Sequence, residues 1–300
     1  MLRRLFLLGC AGAVVAVGCL FWGFFVEPGR LVVREVVIDS AEWRGEPIRV
    51  GVLSDVHAGG RKVFAAEVAR AVAVLNGLEP NIILLPGDFT TGSKARALRS
   101  AAEKKGIDAG HAELRKLVAP MGVFAVLGNH DHQYGRDTVR DALEADGTVQ
   151  FVDNEVVVIG ARVCVFGIAD EWFGEPDLTT PDECPPGLNR IGFTHNPDTL
   201  LALETQHAFL AAGHTHGGQI NIPGIGRRVT ATRAGEHYAW GRVSFNGSPG
   251  FVTAGIGMSV LSARFRVPPE VVVVQLHEHD VRRKRGVLPQ QTLRMATSGK

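Results

Sequence analysis

Three hundred residues, 45% of them hydrophobic, can fill one large domain or two small ones with a packed core, which excludes a chain that is mainly disordered. Lys and Arg number 32 against 31 Asp and Glu, so a net charge of +1 offers no global footprint for nucleic acid, and no nucleic-acid partner is expected. The four cysteines, Cys10, Cys19, Cys164 and Cys184, form no CxxC pair and stand apart from the histidine clusters, so neither a zinc finger nor a disulfide framework is expected.

Residues 5–26 are 22 residues without a charge, and a helix needs about 20 to cross a bilayer. Arg3 and Arg4 precede this run, and Glu27, Pro28 and Gly29 follow it. Positive charge on the short side predicts a cytoplasmic N-terminus and a single span, with the remainder on the extracytoplasmic face. Phe24-Phe25-Val26-Glu27 offers no small-residue cleavage site, and apolar residues continue past Cys10 and Cys19, unlike a lipidated cysteine. Arg3-Arg4-Leu5-Phe6-Leu7 resembles a twin-arginine export signal, although Arg pairs commonly flank anchors. The division expected is an anchor over 1–29, one domain over 30–280, and a basic tail over 281–300, carrying Arg282-Arg283-Lys284-Arg285, that is expected to be disordered.

Residues 31–38 alternate as an edge strand, and residues 48–53 form an apolar run that stops at Ser54-Asp55, the pattern of a buried strand. Phe64, Val68, Val72 and Leu75 recur at helical spacing before Asn76-Gly77, a plausible stop. A strand over 81–85, a helix around 113–118 and a strand over 123–127 continue an α/β rhythm with crossover connections. Short strands over 156–159, 163–168, 190–193 and 208–212, with a helix near 197–204, predict a second sheet packed on the first. Residues 93–110 interrupt the rhythm with Lys94, Arg96, Arg99, Lys104 and Lys105 on an Ala-rich stretch. A solvated surface helix is its ordinary reading, and a basic flap over an anionic substrate the sharper one.

Five polar clusters follow apolar runs in order: Asp55-Val56-His57, Gly87-Asp88, Gly128-Asn129-His130-Asp131, His195 and Gly213-His214-Thr215-His216. Any one of them alone is an ordinary turn or histidine, but coincidence is a poor explanation for all five. Residues i and i+2 at a strand end point the same way, so one ion can take Asp55, His57 and one of His214 and His216. A carboxylate such as Asp88 can bridge to a second ion, completed by Asn129, His195 and the remaining histidine. Imidazole, carboxylate and carbonyl donors without thiolate suit two divalent ions of manganese, iron or zinc.

These motifs resemble the calcineurin-like metallophosphoesterase superfamily over residues 48–276. The resemblance implies that Asp55, His57, Asp88 and His216 hold one metal and that Asp88, Asn129, His195 and His214 hold the other. The N-terminal apolar segment, Gly217-Gly218-Gln219, and Gly255-Ile256-Gly257 leading to Arg264 and Pro268-Pro269-Glu270 narrow it to membrane-associated YkuE/YaeI-like phosphoesterases. That implies a four-layer α/β/β/α sandwich with helices outside two facing sheets, preceded here by a transmembrane helix. Thr91 stands where relatives often carry an acidic residue, and His132 where an aromatic is common.

Two such ions can share a water, lower its pKa and present a metal-bridging hydroxide to a phosphorus atom. His130 is the expected donor of a proton to the leaving alkoxide, with Asp131 orienting it. The expected activity is hydrolysis of a phosphodiester or pyrophosphate bond, with phospholipid or UDP-2,3-diacylglucosamine-like lipid-linked substrates suggested by the resemblance. A phosphomonoesterase of the same fold and a membrane-tethered, non-catalytic scaffold are the alternatives. The β-lactamase-like His-x-His-x-Asp-His motif is missing after His216, and Gly257-Met258-Ser259-Val260-Leu261 lacks the last glycine of a serine-hydrolase elbow.

Overall fold

A computed structural model describes residues 2–60, 64–279 and 292–296. Helix α1 (Leu2–Phe21) runs into a π turn (Trp22–Val26) and a 3-10 turn (Glu27–Gly29). Leu2–Gly29 is long and apolar enough to cross a membrane or to serve as a signal sequence, and its most apolar window is not buried against the rest of the chain.

The first half of the domain runs β1 (Val32–Ser40), β2 (Ile48–Val52), α2 (Ala65–Gly77), β3 (Ile82–Pro86), α3 (Ala101–Leu114), β4 (Val123–Val126), α4 (Asn129–Glu144) and β5 (Val149–Phe151). The second half begins with β6 (Glu155–Ile159), β7 (Val163–Ile168), β8 (Asn189–Thr194), α5 (Pro197–Leu201) and β9 (Phe209–Ala212). A small hairpin of β10 (Asn221–Ile222) and β11 (Gly226–Arg227) precedes β12 (Gly241–Phe245), β13 (Ser248–Val252), β14 (Glu270–Glu278) and β15 (Thr292–Met295). One sheet has the order β15-β1-β14-β2-β3-β4-β5 and the other β12-β13-β9-β8-β7-β6.

Alternation along the strands divides the core into layers. In β2, β3 and β4, Val50, Val52, Ile82, Leu84, Phe124 and Val126 face Ile191, Phe193 and Phe209 of the second sheet. Their neighbours Ile83, Leu85, Val123 and Ala125 face Val68, Ala71 and Leu75 of α2 and Leu114 of α3. The outer face of the second sheet, with Phe166, Leu210 and Val252, is covered by Leu200 of α5, Leu203 and Cys184. The α/β/β/α order therefore holds, with its fourth layer reduced to α5 and short turns.

Four expectations need correcting. The strand read as an edge, β1, lies inside its sheet, because β15 pairs antiparallel with it at Val32–Met295 and Val33–Arg294. Part of the tail expected to be disordered is thus a strand, while 281–291 and 297–300 lie outside the described residues. The helix placed near 113–118 instead spans Ala101–Leu114. A capping box sets its start: Glu103 N donates to Ser100 Oγ at 3.2 Å and Ser100 N to Glu103 Oε2 at 2.9 Å. Past Leu114 the chain is held as a loop by Asn76, which donates to Lys116 O and accepts from Val118 N. Finally, Cys164 and Cys184 form a disulfide, their Cα atoms 5.9 Å apart across the outer face of the second sheet.

Candidate metal centre

Ligands of open α/β sheets bind beyond the carboxyl ends of parallel strands. All seven expected metal ligands lie there, at the ends of β2, β3 and β4 in one sheet and of β8 and β9 in the other. Backbone pairing of β2 and β3 continues past the strands and aligns their loops: Asp55 N donates to Gly87 O at 3.0 Å, His57 N to Asp88 O at 2.9 Å and Ala58 N to Phe89 O at 2.8 Å. In the second sheet Gly213 N donates to His195 O at 3.0 Å.

The donors are not extended, as simple i, i+2 alternation supposed. Asp55, His57, Asp88, His214 and His216 have φ of 49°, 49°, 57°, 68° and 50°. Left-handed backbone costs non-glycine residues on the order of 1–3 kcal/mol each, and it persists only where the surroundings over-determine it. Here they do. His214 N donates to both Asp55 carboxylate oxygens at 3.0 Å, Ser54 Oγ donates to Asp55 Oδ2 at 2.7 Å, and Gly257 N donates to Asp55 O at 2.7 Å. Glycine is required at Gly128 and Gly213 because a Cβ would overlap Asp88 Oδ1 at the first and Ser54 Oγ at the second.

Two nested groups of donor atoms result. His57 Nε2 and His216 Nε2 lie 3.1 Å apart, with Asp55 Oδ1 3.6 Å from His216 Nε2. His195 Nε2, His214 Nδ1 and Asn129 Oδ1 lie 3.1 Å from one another. Asp88 Oδ2 stands between them, 3.6 Å from His57 Nε2 and 3.4 Å from His195 Nε2. Donors bound to one ion at about 2.0–2.2 Å are separated by roughly 3 Å, so these spacings fit cation coordination. Three groups of donors lie close enough to hold an ion: Asp55, His57 and His216; Asp55, Asp88 and His195; and His57, Asp88 and His130.

The site is also electrostatically incomplete without cations. Burial pushes the His57 imidazole down to about 4 despite Asp88, His214 down to about 3, and His216 well below its usual value, so each keeps a free lone pair. Burial and the neighbouring Asp88 raise Asp55 to about 7. Burial would lower His195 as well, but the adjacent Asp88 carboxylate outweighs it and raises His195 to about 10. The Asp88 carboxylate thus favours positive charge beside it, as a cation bound there would supply. Only one His195 nitrogen is available, because Nδ1 is engaged by Pro86 O at 2.7 Å, which aims Nε2 at Asp88 and Asn129.

The two expected catalytic residues part company. His130 Nε2 lies 4.0 Å from Asp88 Oδ2, and its ring meets His57 edge-on with centroids 5.1 Å apart. Asp131 does not orient it. Its carboxylate accepts the backbone N–H groups of Phe89, Thr90 and Gly128 at 3.2, 2.9 and 3.0 Å, which binds the β3 and β4 loops together.

The basic stretch is neither a free flap nor a plain solvated helix. Arg99 is buried, donating to the carbonyls of Thr91, Gly92 and Lys94, and Arg96 pairs with Asp108 at 2.8 Å. Ser93, from the loop that Arg99 secures, lines a cleft of about 340 Å³ with His57, His130, Met258, Ser259 and Val260. Two further contributors were given no part in the site by the sequence. Trp172 meets the His214 ring edge-on with centroids 4.6 Å apart. Arg264, fully buried, donates to the carbonyls of Ala254, Gly255, Gly257 and Val267 and so shapes the loop beneath Asp55.

The family model for calcineurin-like phosphoesterases matches residues 48–218, more than half of the chain and all of these donors. The chain belongs to this family. It is a metallophosphoesterase, a hydrolase of phosphoester bonds in a family that depends on two metals. It is 28% identical to the metallophosphoesterase YkuE of Bacillus subtilis over 92% of this chain and 98% of that protein. It is 26% identical to phosphodiesterase YaeI of Escherichia coli over 91% and 98%. It is 23% identical to UDP-2,3-diacylglucosamine pyrophosphatase LpxG of Chlamydia trachomatis over 59% of this chain and 65% of that protein.

Proposed function

We propose that this metallophosphoesterase cleaves phosphodiester or pyrophosphate bonds of a lipid-linked substrate, from the extracytoplasmic face of a membrane to which Leu2–Gly29 anchors it. The observation that carries the proposal is the placement of Asp88 Oδ2 within 3.4 Å of His195 Nε2 and 3.6 Å of His57 Nε2, midway between two sets of donors. Asp55, His57, Asp88 and His216 would hold one divalent ion, and Asp88, Asn129, His195 and His214 the other. Manganese, iron and zinc all suit this donor set.

Bound there, the ion pair supplies charge neutralisation and a water acidified near neutral pH. The remaining work falls to side chains of this chain. Ser54 and His214 N hold Asp55 in place, and Pro86 O fixes the face that His195 presents. His130 lies at the cleft with its Nδ1 unpartnered and its Nε2 beside Asp88, where it can deliver a proton to the oxygen of the departing alcohol. His57, His195 and His216 are more deeply buried, their side chains 1, 0 and 7% exposed against 17% for His130.

Three observations favour the lipid-linked, extracytoplasmic part. LpxG is named for a lipid-linked pyrophosphate substrate. A disulfide such as Cys164–Cys184 belongs to oxidising compartments. Arg3 and Arg4 lie on the short side of the apolar run. Detergent-solubilised full-length protein, loaded with manganese, should hydrolyse bis-p-nitrophenyl phosphate faster than p-nitrophenyl phosphate and lose both activities on chelation. Faster monoester turnover would select the phosphomonoesterase instead. Two bound ions without turnover of either ester would leave a scaffold.

A further inference from the structure

The loop that brings Met258, Ser259 and Val260 to the cleft continues into a segment bonded to the one that leaves α1. Arg264 N donates to Gly23 O at 2.9 Å, and a Cβ at Gly23 would touch Arg264 O and the Phe265 side chain. Gly23 lies inside the uncharged run of residues 5–26, three residues before its end, so this edge of the domain reaches about 4–5 Å inside that limit. Trp22, a residue type that favours the headgroup level, donates to Glu27 Oε2 at 2.7 Å at the same place.

Gln219 fastens two loops to that edge. Its Nε2 donates to Leu261 O at 2.6 Å and Ala263 O at 2.9 Å, and its Oε1 accepts from Ser259 N at 2.9 Å. Phe265 N donates to Gln219 O, and Asn221 N to Phe265 O, both at 2.9 Å, which ties in the β10–β11 hairpin. These loops present Val260 fully exposed, with Leu261, Ile222 and Ile225 each at 42–50% exposure. Exposed apolar residues scattered singly mean nothing, but these four lie on two loops joined by hydrogen bonds beside the end of an apolar helix. Arg228 and Arg266 are exposed next to them, a charge suited to anionic headgroups.

We propose that residues 258–262 and the β10–β11 hairpin rest on the lipid bilayer, so that the cleft leading to Asp88 opens at the lipid–water interface. The proposal rests on the reading of Leu2–Gly29 as a membrane anchor. The headgroup of an amphiphile then enters along Met258 and Ser259 while its chains stay in the bilayer. Phospholipid headgroups are the partner, and Val260 and Ile225 are the points of deepest contact.

The test uses the full-length chain with Cys10→Ser and Cys19→Ser, reconstituted into vesicles of phosphatidylcholine and phosphatidylglycerol at about 3:1. An environment-sensitive nitrobenzoxadiazole label is placed at Val260→Cys, Ile225→Cys or, as control, Val158→Cys. Val158 lies on β6 at the opposite edge of the second sheet from β12, about 24 Å away by strand spacing. Labels at 260 and 225 should emit at shorter wavelength and be quenched several-fold more by spin-labelled lipid than the label at 158. Equal, water-like emission at all three positions in co-floating protein would overturn the proposal, as would failure to co-float.

Ile222→Asp/Ile225→Asp supplies an independent readout. Turnover of soluble bis-p-nitrophenyl phosphate should be unchanged, whereas turnover of a phosphodiester lipid embedded in the vesicles should fall about tenfold. Undiminished vesicle turnover would also overturn the proposal. Lipid-inserted labels on a protein inactive toward both esters would sink the catalytic reading and leave the membrane surface standing.

Discussion

The two sheets bring different chemistry to one seam. The first supplies both carboxylates, Asp55 and Asp88, with His57 and Asn129, from three adjacent parallel strand ends. The second supplies only imidazoles, His195, His214 and His216, from two. Neither sheet alone assembles a full set of donors, and Asp88 reaches both sets. Ions bound at this seam would therefore join the sheets as well as drive hydrolysis, and both candidate carboxylate ligands come from the first sheet.

Substitution of Asp88 should disturb this arrangement most. Removing groups that merely orient ligands costs about 10–100-fold in affinity or activity, so Asp88→Asn should cost more than about 100-fold in turnover and deplete both ions, as read by metal analysis. His216→Ala, confined to the second sheet, should deplete one ion and spare the other. A variant with both ions retained would contradict the division. His130→Ala should slow an alkyl phosphodiester by about 10²–10⁴-fold with metal content unchanged, and an activated aryl ester by much less. Equal losses on the two esters would remove His130 from the role of acid.

Chelation probes the seam itself. Because ions that bind only the folded chain stabilise it, their removal should lower the melting temperature by several degrees, and Asp88→Asn should already melt at that lower temperature. The smallest effect belongs outside the seam, at His111, which is buried beside Thr90 Oγ1 at 3.3 Å. Burial lowers it from 6.5 to about 4, so its neutral form is favoured in the folded state. Its contribution is complete above about pH 6.5 and is lost as pH falls towards 4. At pH 5 the loss is about 2 kcal/mol, and His111→Gln should flatten the acid limb of the stability profile by that amount in urea unfolding.

The donors were legible because each follows an apolar run that had to be a strand, and strand ends on one edge of parallel sheets converge. Asp55 and His57 could thus be placed together from the sequence alone. The choice between His214 and His216 could not be made from spacing alone, since it depends on left-handed turns at both. Asp131 misled because an acidic neighbour of His130 looks like its partner, yet three backbone N–H groups claim its carboxylate. Cys164 and Cys184 are 20 residues apart with no local signature, and only packing on the outer face of the second sheet brings them together. Thr292–Met295 carried too few residues to show periodicity, and its partner β1 lies at the other end of the chain. The walls of the cleft, Ser93 and residues 258–262, come from loops whose positions follow from Arg99 and Gln219 reaching backbone carbonyls, contacts that leave no periodic trace.

Everything proposed for this site depends on two ions sharing Asp88 between the sheets. Electron paramagnetic resonance of the full-length protein titrated with Mn²⁺ tests it directly, because two manganese ions bridged by one carboxylate are exchange-coupled. Two Mn²⁺ per chain are expected at saturation, with a coupled signal that Asp88→Asn abolishes. An uncoupled, mononuclear spectrum at saturation in the active protein would contradict it.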